Sequence, residues 1–472
     1  MPLSTAPFFV FFVVVWLLFW ALARVPQARF AVLLAANLFF LLKFGMLYLA
    51  LPAAASVDFL VGLGLEKMPG EDPERKLARR ALLAASLAVN VGLLLATKLI
   101  PLASGDRYSW LLTLSLSFYC FQSLTYTVDL FRREPDTHAT RNYLAYLTSA
   151  LFFPVMIAGP ILRLHDFLKQ LLRPSALTSA DAGRALLLIA IGLVKKLLIA
   201  DFLAENLVTR VFDTPTLYSG LEVLVAVYGY ALQLFFDFSG YTDIALGVGL
   251  LLGLRLPENF NRPYLSPNMG DFWRRWHMSF SFWLRDYIQE RLPQSRRKHP
   301  LASYCWTVIA TFLLGGLWHM SHGLVLTFLT WGALHGVALA VVRVWKNKRR
   351  GKNPTTWGTV VATLVTFHFV CFTWIFFNAS SMGNAFEILG RIATLASFSH
   401  GSLAHENLTL PILGVLVLAA VAHCLPLKWL SSGASLVGRM PFWAQGAALA
   451  GLVLAIQTLS GRGTATFIYG SF

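Results

Sequence analysis

The chain has 472 residues, of which 57% are hydrophobic and only 13% charged. A soluble protein carries about a quarter charged residues, so a string of ordinary soluble domains is excluded and a bilayer is the solvent that fits. The net charge of +16, from 39 basic against 23 acidic residues, does not imply nucleic acid. The basic residues gather in polar breaks at Lys67–Arg80, Arg291–Lys298 and Arg343–Lys352, as a positive-inside bias requires.

A helix needs roughly 20 apolar residues to cross a bilayer. In chain order the apolar runs are Ala6–Ala23, Phe30–Leu51, Leu82–Lys98, Ser109–Leu130, Ala185–Ile199, Leu221–Phe236, Trp306–Trp318 with Gly323–Val342, Val360–Phe377, Leu410–Cys424 and Phe442–Ile456. They predict an all-α polytopic protein with about 9–12 crossings. Runs that are short or broken by Gly and Pro suit re-entrant or interfacial helices around a central cavity. The first run has no basic residue before it and no small-residue cleavage site after it, so it reads as a retained helix. Cys120, Cys305, Cys371 and Cys424 sit in or beside apolar runs and form no C-x-x-C pair, the pattern of buried small hydrophobes.

Three polar stretches interrupt the apolar pattern. The first is FFDFSGYTDIALGVGLLLGLRLPENFNRPY, residues 235–264. Asp237 and Asp243 lie in its apolar half, where they bond the backbone of broken helices or line an aqueous cavity. Gly247, Gly249 and Gly253 permit close helix contact. Asn259, Asn261, Pro257 and Pro263 mark a structured turn. The second stretch, DFWRRWHMSFSFWLRDYIQERL, spans residues 271–292. Trp273, Trp276, Phe280, Trp283 and Tyr287 recur at helical spacing, which predicts a helix with an aromatic face and a basic face at the membrane interface. The third, GGLWHMSHG at 315–323, carries His319. An ionisable group in an apolar segment is either functional or bonded to a neighbouring helix carbonyl. Histidine has the pKa suited to proton transfer. With His322 and His335 it also invites a metal reading, but no H-E-x-x-H is present and no carboxylate is near in sequence, so no metal site is expected.

Six ordered blocks together resemble the membrane-bound O-acyltransferase family, in particular its bacterial branch of alginate O-acetylation and teichoic acid D-alanylation. They are FYCFQSLTYTVDLFRRE at 118–134, MIAGPILRLHDFLKQL at 156–171, residues 237–264, residues 271–287, residues 315–323 and WGALHG at 331–336. The resemblance covers a core of about residues 50–390, followed by further C-terminal transmembrane helices in 391–472, in one membrane domain spanning 1–472. It implies that His319 is the catalytic residue and that His277 of the R-W-H-x-S block faces the same central cavity. It also implies a cytoplasmic acyl thioester donor such as acetyl-CoA, a hydroxyl acceptor on an exported or cell-surface polysaccharide, a periplasmic or extracellular acyl-handling partner, and the bacterial cytoplasmic membrane as location. In this reading His319 removes the acceptor proton, and His277 orients the donor or stabilises charge. Arg274, Arg275 and Trp276 are candidates for donor binding, with interfacial charge the competing role of the two arginines. Asp237, Asp243 and Asn261 are candidate cavity or structural polar groups. Bacterial relatives often have Gly-Ala or Gly-Val after the histidine where this chain has Met320, Ser321 and His322, so the pocket beside His319 has its own shape. Acetyl transfer is favoured by ENFNRPY and by FFNAS at 376–380. D-alanyl transfer, a proton or solute transporter, and a non-catalytic scaffold are the competing readings; the transporter lacks internal repeat symmetry.

Overall fold

The computed structural model describes residues 2–43, 45–68, 72–104, 111–173, 176–293, 299–320, 324–348, 355–397 and 400–460. Helices dominate and no strand occurs among the described residues. The N-terminal group comprises α1 (Ala6–Ala21), α2 (Pro26–Leu42), α3 (Ala50–Lys67), α4 (Pro73–Ser104), α5 (Leu111–Arg132) and the short α6 (Tyr143–Ala150) and α7 (Leu164–Leu171). Next, α8 starts at Ser179–Leu193 and runs on through π-helical turns at Val194–Ala200 and Ala204–Val208 to Asp213. It is followed by α9 (Gly220–Leu251), 32 residues without a break. Two fragments follow, α10 (Met269–Phe272) and α11 (Met278–Trp283), then α12 (Pro300–His319), α13 (Val325–Lys348), α14 (Thr356–Asn378), α15 (Met382–Ala393), α16 (Leu410–Cys424), α17 (Leu427–Arg439) and α18 (Phe442–Ser460).

The expected crossings divide into two groups. Among the described residues, five stretches are long and apolar enough to span a membrane: Pro73–Ala96, Gly220–Leu251, Pro300–His319, Val325–Lys348 and Thr356–Asn378. Ala6–Ala21, Pro26–Leu42, Tyr143–Val155 and Trp443–Ile456 are apolar but shorter, and α16 meets α17 at a 90° bend. Large apolar side chains such as Val10, Leu60, Val341, Trp357 and Val417 are exposed, as a lipid-facing belt requires.

Helix ends are tied together at two faces. On one, the Arg79 guanidinium donates to the carbonyls of Leu65 (2.6 Å) and Phe131 (2.8 Å), closing the ends of α3 and α5. The same face holds the pairs Arg163–Asp286, Arg184–Glu258 and Arg255–Asp181, and the bond from Lys346 Nζ to Asn268 Oδ1. On the other, α9 begins in a capping box. Ser219 Oγ accepts from the Glu222 N–H, and Glu222 Oε2 accepts from the Ser219 N–H. Glu222 also accepts from the Asn407 backbone, while Arg391 donates to the Tyr218 carbonyl. Arginine and lysine thus dominate the first face.

Small residues set the closest approaches. A Cβ on Gly192 would lie 2.6 Å from the Gly240 carbonyl oxygen, so α8 and α9 cross in backbone contact. Gly316 and Gly332 do the same for α12 and α13. Gly247 packs against the Ala185 carbonyl as expected of a contact residue, whereas Gly253 has φ +73° and turns the chain at the end of α9.

The expected continuous helix through 273–287 is absent. His277 has φ +43°, a left-handed conformation that no right-handed helix continues through. Its aromatic face is also turned into the protein: Trp273, Trp276, Phe280 and Trp283 are buried. It is one limb of a buried hairpin. The Asn261 N–H donates to the Arg275 carbonyl, and the Met278 N–H donates to the Asn259 carbonyl, each at 2.9 Å. The turn expected at Asn259–Pro263 is therefore the other limb of that hairpin, and Arg262 is left-handed too (φ +45°).

Candidate active site

The hairpin carries His277 into the interior, and α12 delivers His319 at its last turn. Both rings are buried and both contact Phe280, with centroid distances of 5.1 Å for His277 and 6.5 Å for His319. His277 also meets Phe238 of α9 at 4.7 Å and Phe118 of α5 at 6.3 Å. His319 sits among Trp318, Phe328, Trp331 and Phe377. Elements from both halves of the chain thus pack one aromatic cluster around two imidazoles. Such a site is low in polarity and strengthens whatever hydrogen bonds form in it.

The nitrogen atoms of His277 are distinguishable. Nδ1 lies 3.2 Å from Oδ1 of Asn259. Nε2 is buried with no hydrogen-bond partner. His335, one helix away, has both ring nitrogens engaged: Trp273 Nε1 donates to Nδ1 at 3.2 Å, and Nε2 lies 2.9 Å from the Thr373 hydroxyl. That proton pattern makes His335 a neutral linker between the hairpin, α13 and α14. The metal reading also involved His322, which lies outside the described residues. Among the described residues, no group of three His, Cys, Asp or Glu side chains comes together for a metal.

A cleft of about 610 Å³ lies nearby, bounded by Trp273 and Phe312, and neither His277 nor His319 lines it. Its wall is apolar where Trp273, Val308, Phe312 and Leu339 line it, and Arg274, Arg285, Arg343 and Lys346 also line it. These cations belong to the basic face. Phe312 marks its reach along α12, and His319 lies seven residues further, about 10 Å at helical rise. Arg274 is exposed, lines the cleft and lies 3.5 Å from Asp271. Arg275 pairs with the same carboxylate at 2.9 Å, and Trp276 is buried against Phe260, Phe272 and Trp374. Neither lines the cleft; the left-handed turn at His277 points Trp276 into the core.

The acidic candidates have structural partners. Lys196 Nζ lies 2.8 Å from Asp237 and 2.7 Å from Asp201. Lys195 Nζ lies 2.6 Å from Asp243. Both aspartates thus serve the α8–α9 contact rather than the histidine cluster. Asn261 holds the hairpin through its backbone, and its Oδ1 is buried without a partner. Residues not singled out from the sequence matter as much. Two lysines inside the apolar run Ala185–Ile199 were the available signal for a buried ion pair. Asp58 is another: it is fully buried and accepts from Ser86 (2.6 Å), Asn90 (2.8 Å) and Ser123 (2.5 Å), locking α3 to α4 and α5.

This arrangement defines a polytopic membrane protein with two buried histidines between a buried hairpin and a helical pair. Residues 99–385 match the membrane-bound O-acyltransferase family, and the chain belongs to that family. It is 37% identical over 302 residues to the probable alginate O-acetylase AlgI of Pseudomonas fluorescens, covering 63% of this chain and 58% of that protein. It is 31% identical over 409 residues to the peptidoglycan O-acetyltransferase of Helicobacter pylori, covering 79% and 75%. With the teichoic acid D-alanyltransferase of Bacillus subtilis it shares 35% over 237 residues, covering 48% and 59%. The matched part thus spans a little over half the length of the alginate-type relative.

Proposed function

We propose that the chain is an acyltransferase that carries an acetyl group from a cytoplasmic thioester to hydroxyls of an exported or cell-surface polysaccharide. The observation that supports it most is that His277 and His319 both contact Phe280, with a cation-lined cleft reaching along α12 as far as Phe312. The basic face is the cytoplasmic one by the positive-inside rule. A donor such as acetyl-CoA rests its phosphates near Arg274, Arg343 and Lys346 and extends its thioester up the apolar wall toward His319. The acceptor hydroxyl arrives from the opposite face. His319 takes its proton as the oxygen attacks the thioester carbonyl, the tetrahedral intermediate collapses, and the thiolate leaves toward the cytoplasm. The membrane stays closed because only the acyl group passes. A periplasmic or extracellular partner that hands the acyl group onward completes this reading, as does residence in a bacterial cytoplasmic membrane.

Acetyl rather than D-alanyl transfer follows the longer similarity to the two O-acetylating relatives. The test is mass spectrometry of the surface glycans of cells with and without this protein. Loss of ester-linked acetyl groups on deletion is expected; unchanged acetylation, or loss of D-alanine instead, overturns the acetyl assignment.

A further inference from the structure

A chain of hydrogen bonds with only one possible polarity ends at His277. The backbone N–H of Ile161 donates to Ser279 Oγ at 3.0 Å. Ser279 Oγ lies 2.8 Å from Asn259 Oδ1, which also receives the Ser279 backbone N–H at 3.1 Å. Backbone N–H groups only donate. The amide of Asn259 therefore presents its oxygen, not its nitrogen, to this corner, because a flipped amide would set two donors against each other. The ring nitrogen Nδ1 of His277 faces that same oxygen at 3.2 Å. An oxygen that only accepts needs a donor there, so Nδ1 carries the proton and Nε2 carries the lone pair. Asn259 is buried, and Nε2 of His277 is buried without a protein partner.

We propose that Asn259 is a positioning residue that locks His277 in the Nδ1–H tautomer, so that Nε2 accepts a hydrogen bond from a substrate hydroxyl or amide N–H. This rests on the acyltransferase reading and narrows it. A group that stabilises an oxyanion must donate, and Nε2 of a neutral His277 held this way has nothing to donate. Of the two roles expected for His277, orientation of a substrate stands and charge stabilisation does not. The left-handed backbone at His277 aims the ring at Asn259, a local strain of the kind that persists where the surroundings hold it.

The experiment has two arms on the full-length protein. In the first, the protein is labelled with ¹⁵N-histidine, reconstituted in lipid and studied by solid-state NMR. The His277 signals are those lost in His277→Gln. A protonated Nδ1 with a bare Nε2 is expected, and Asn259→Leu should remove that preference. An Nε2–H tautomer in the unaltered protein, or an unchanged tautomer in Asn259→Leu, overturns the proposal. In the second arm, inverted vesicles receive radiolabelled acetyl-CoA and acetyl transfer is followed. Asn259→Leu should lose about 10- to 100-fold, the usual cost of removing a group that orients a reactive ligand. Asn259→Asp, which still accepts from both Ser279 and His277, should recover much of that loss; recovery no better than Asn259→Leu contradicts the assignment. If the unaltered protein transfers nothing from acetyl-CoA, the donor reading fails, and the NMR arm alone decides the role of Asn259.

Discussion

Lys196 reaches from the π-helical turn of α8 to within 2.8 Å of Asp237 on α9, where both side chains are shielded from water. The second carboxylate, Asp201, lies 2.7 Å away on the next turn of α8. A buried cation between two anions holds its geometry because each member would be strongly disfavoured alone. Lys196→Met should therefore destabilise the protein by about 3–5 kcal/mol, the cost of breaking a buried pair by removing one partner. Thermal unfolding in detergent checks this. Adding Asp237→Leu should restore part of the loss and leave Asp201 still unpaired.

Adjacent glycines of α12 have opposite surroundings. A Cβ on Gly316 would meet the Phe328 carbonyl oxygen at 2.4 Å, whereas one on Gly315 would meet only Leu284 Cδ1, at 3.8 Å. Gly316→Val should force α12 and α13 apart and cut the yield of monodisperse protein. Gly315→Ala should leave stability within about 1 kcal/mol, the size of the backbone entropy effect. Size-exclusion profiles and melting temperatures of the two variants test the difference.

Asp58 receives four donors from α4 and α5, Ser86, Asn90, Ser123 and, at 3.5 Å, Tyr119, and none of them has water to turn to. Asp58→Ala should cost about 1–3 kcal/mol for each donor left unpaired. Asp58→Asn keeps an accepting oxygen and should recover part of that loss. Denaturation of the two variants in detergent provides the comparison.

The cleft cations make a kinetic prediction. Arg343→Glu and Lys346→Glu should raise KM for a phosphate-bearing thioester donor and change kcat little, since they touch binding and not the reacting atoms. The rise should shrink as salt is added, because exposed charges are screened. A fall in kcat at unchanged KM contradicts this use of the cleft.

The class of fold was legible because it follows from average hydropathy, and the six blocks were legible because they are local. The path of the hairpin was not. Spacing alone made 273–287 one amphipathic helix, since period counts are blind to a single left-handed residue, and His277 is that residue. Trp276, a donor-site candidate beside Arg274 and Arg275, is buried against Phe260, Phe272 and Trp374. Asp237 and Asp243 stood as cavity or structural groups; their lysine partners were not legible because they lie about 40–50 positions earlier on another helix, a pairing that only the α8–α9 crossing creates. Asn259 was read as a turn former. Its side-chain role appears only when the two limbs of the hairpin meet.

The most direct measurement is acyl transfer by His319→Ala, purified and shown by size exclusion and melting temperature to be folded. Loss of a general base removes about 10²–10⁴-fold in rate, and a loss of that size with donor binding retained is the predicted result. A folded His319→Ala protein that transfers acyl groups at the unaltered rate would contradict the account.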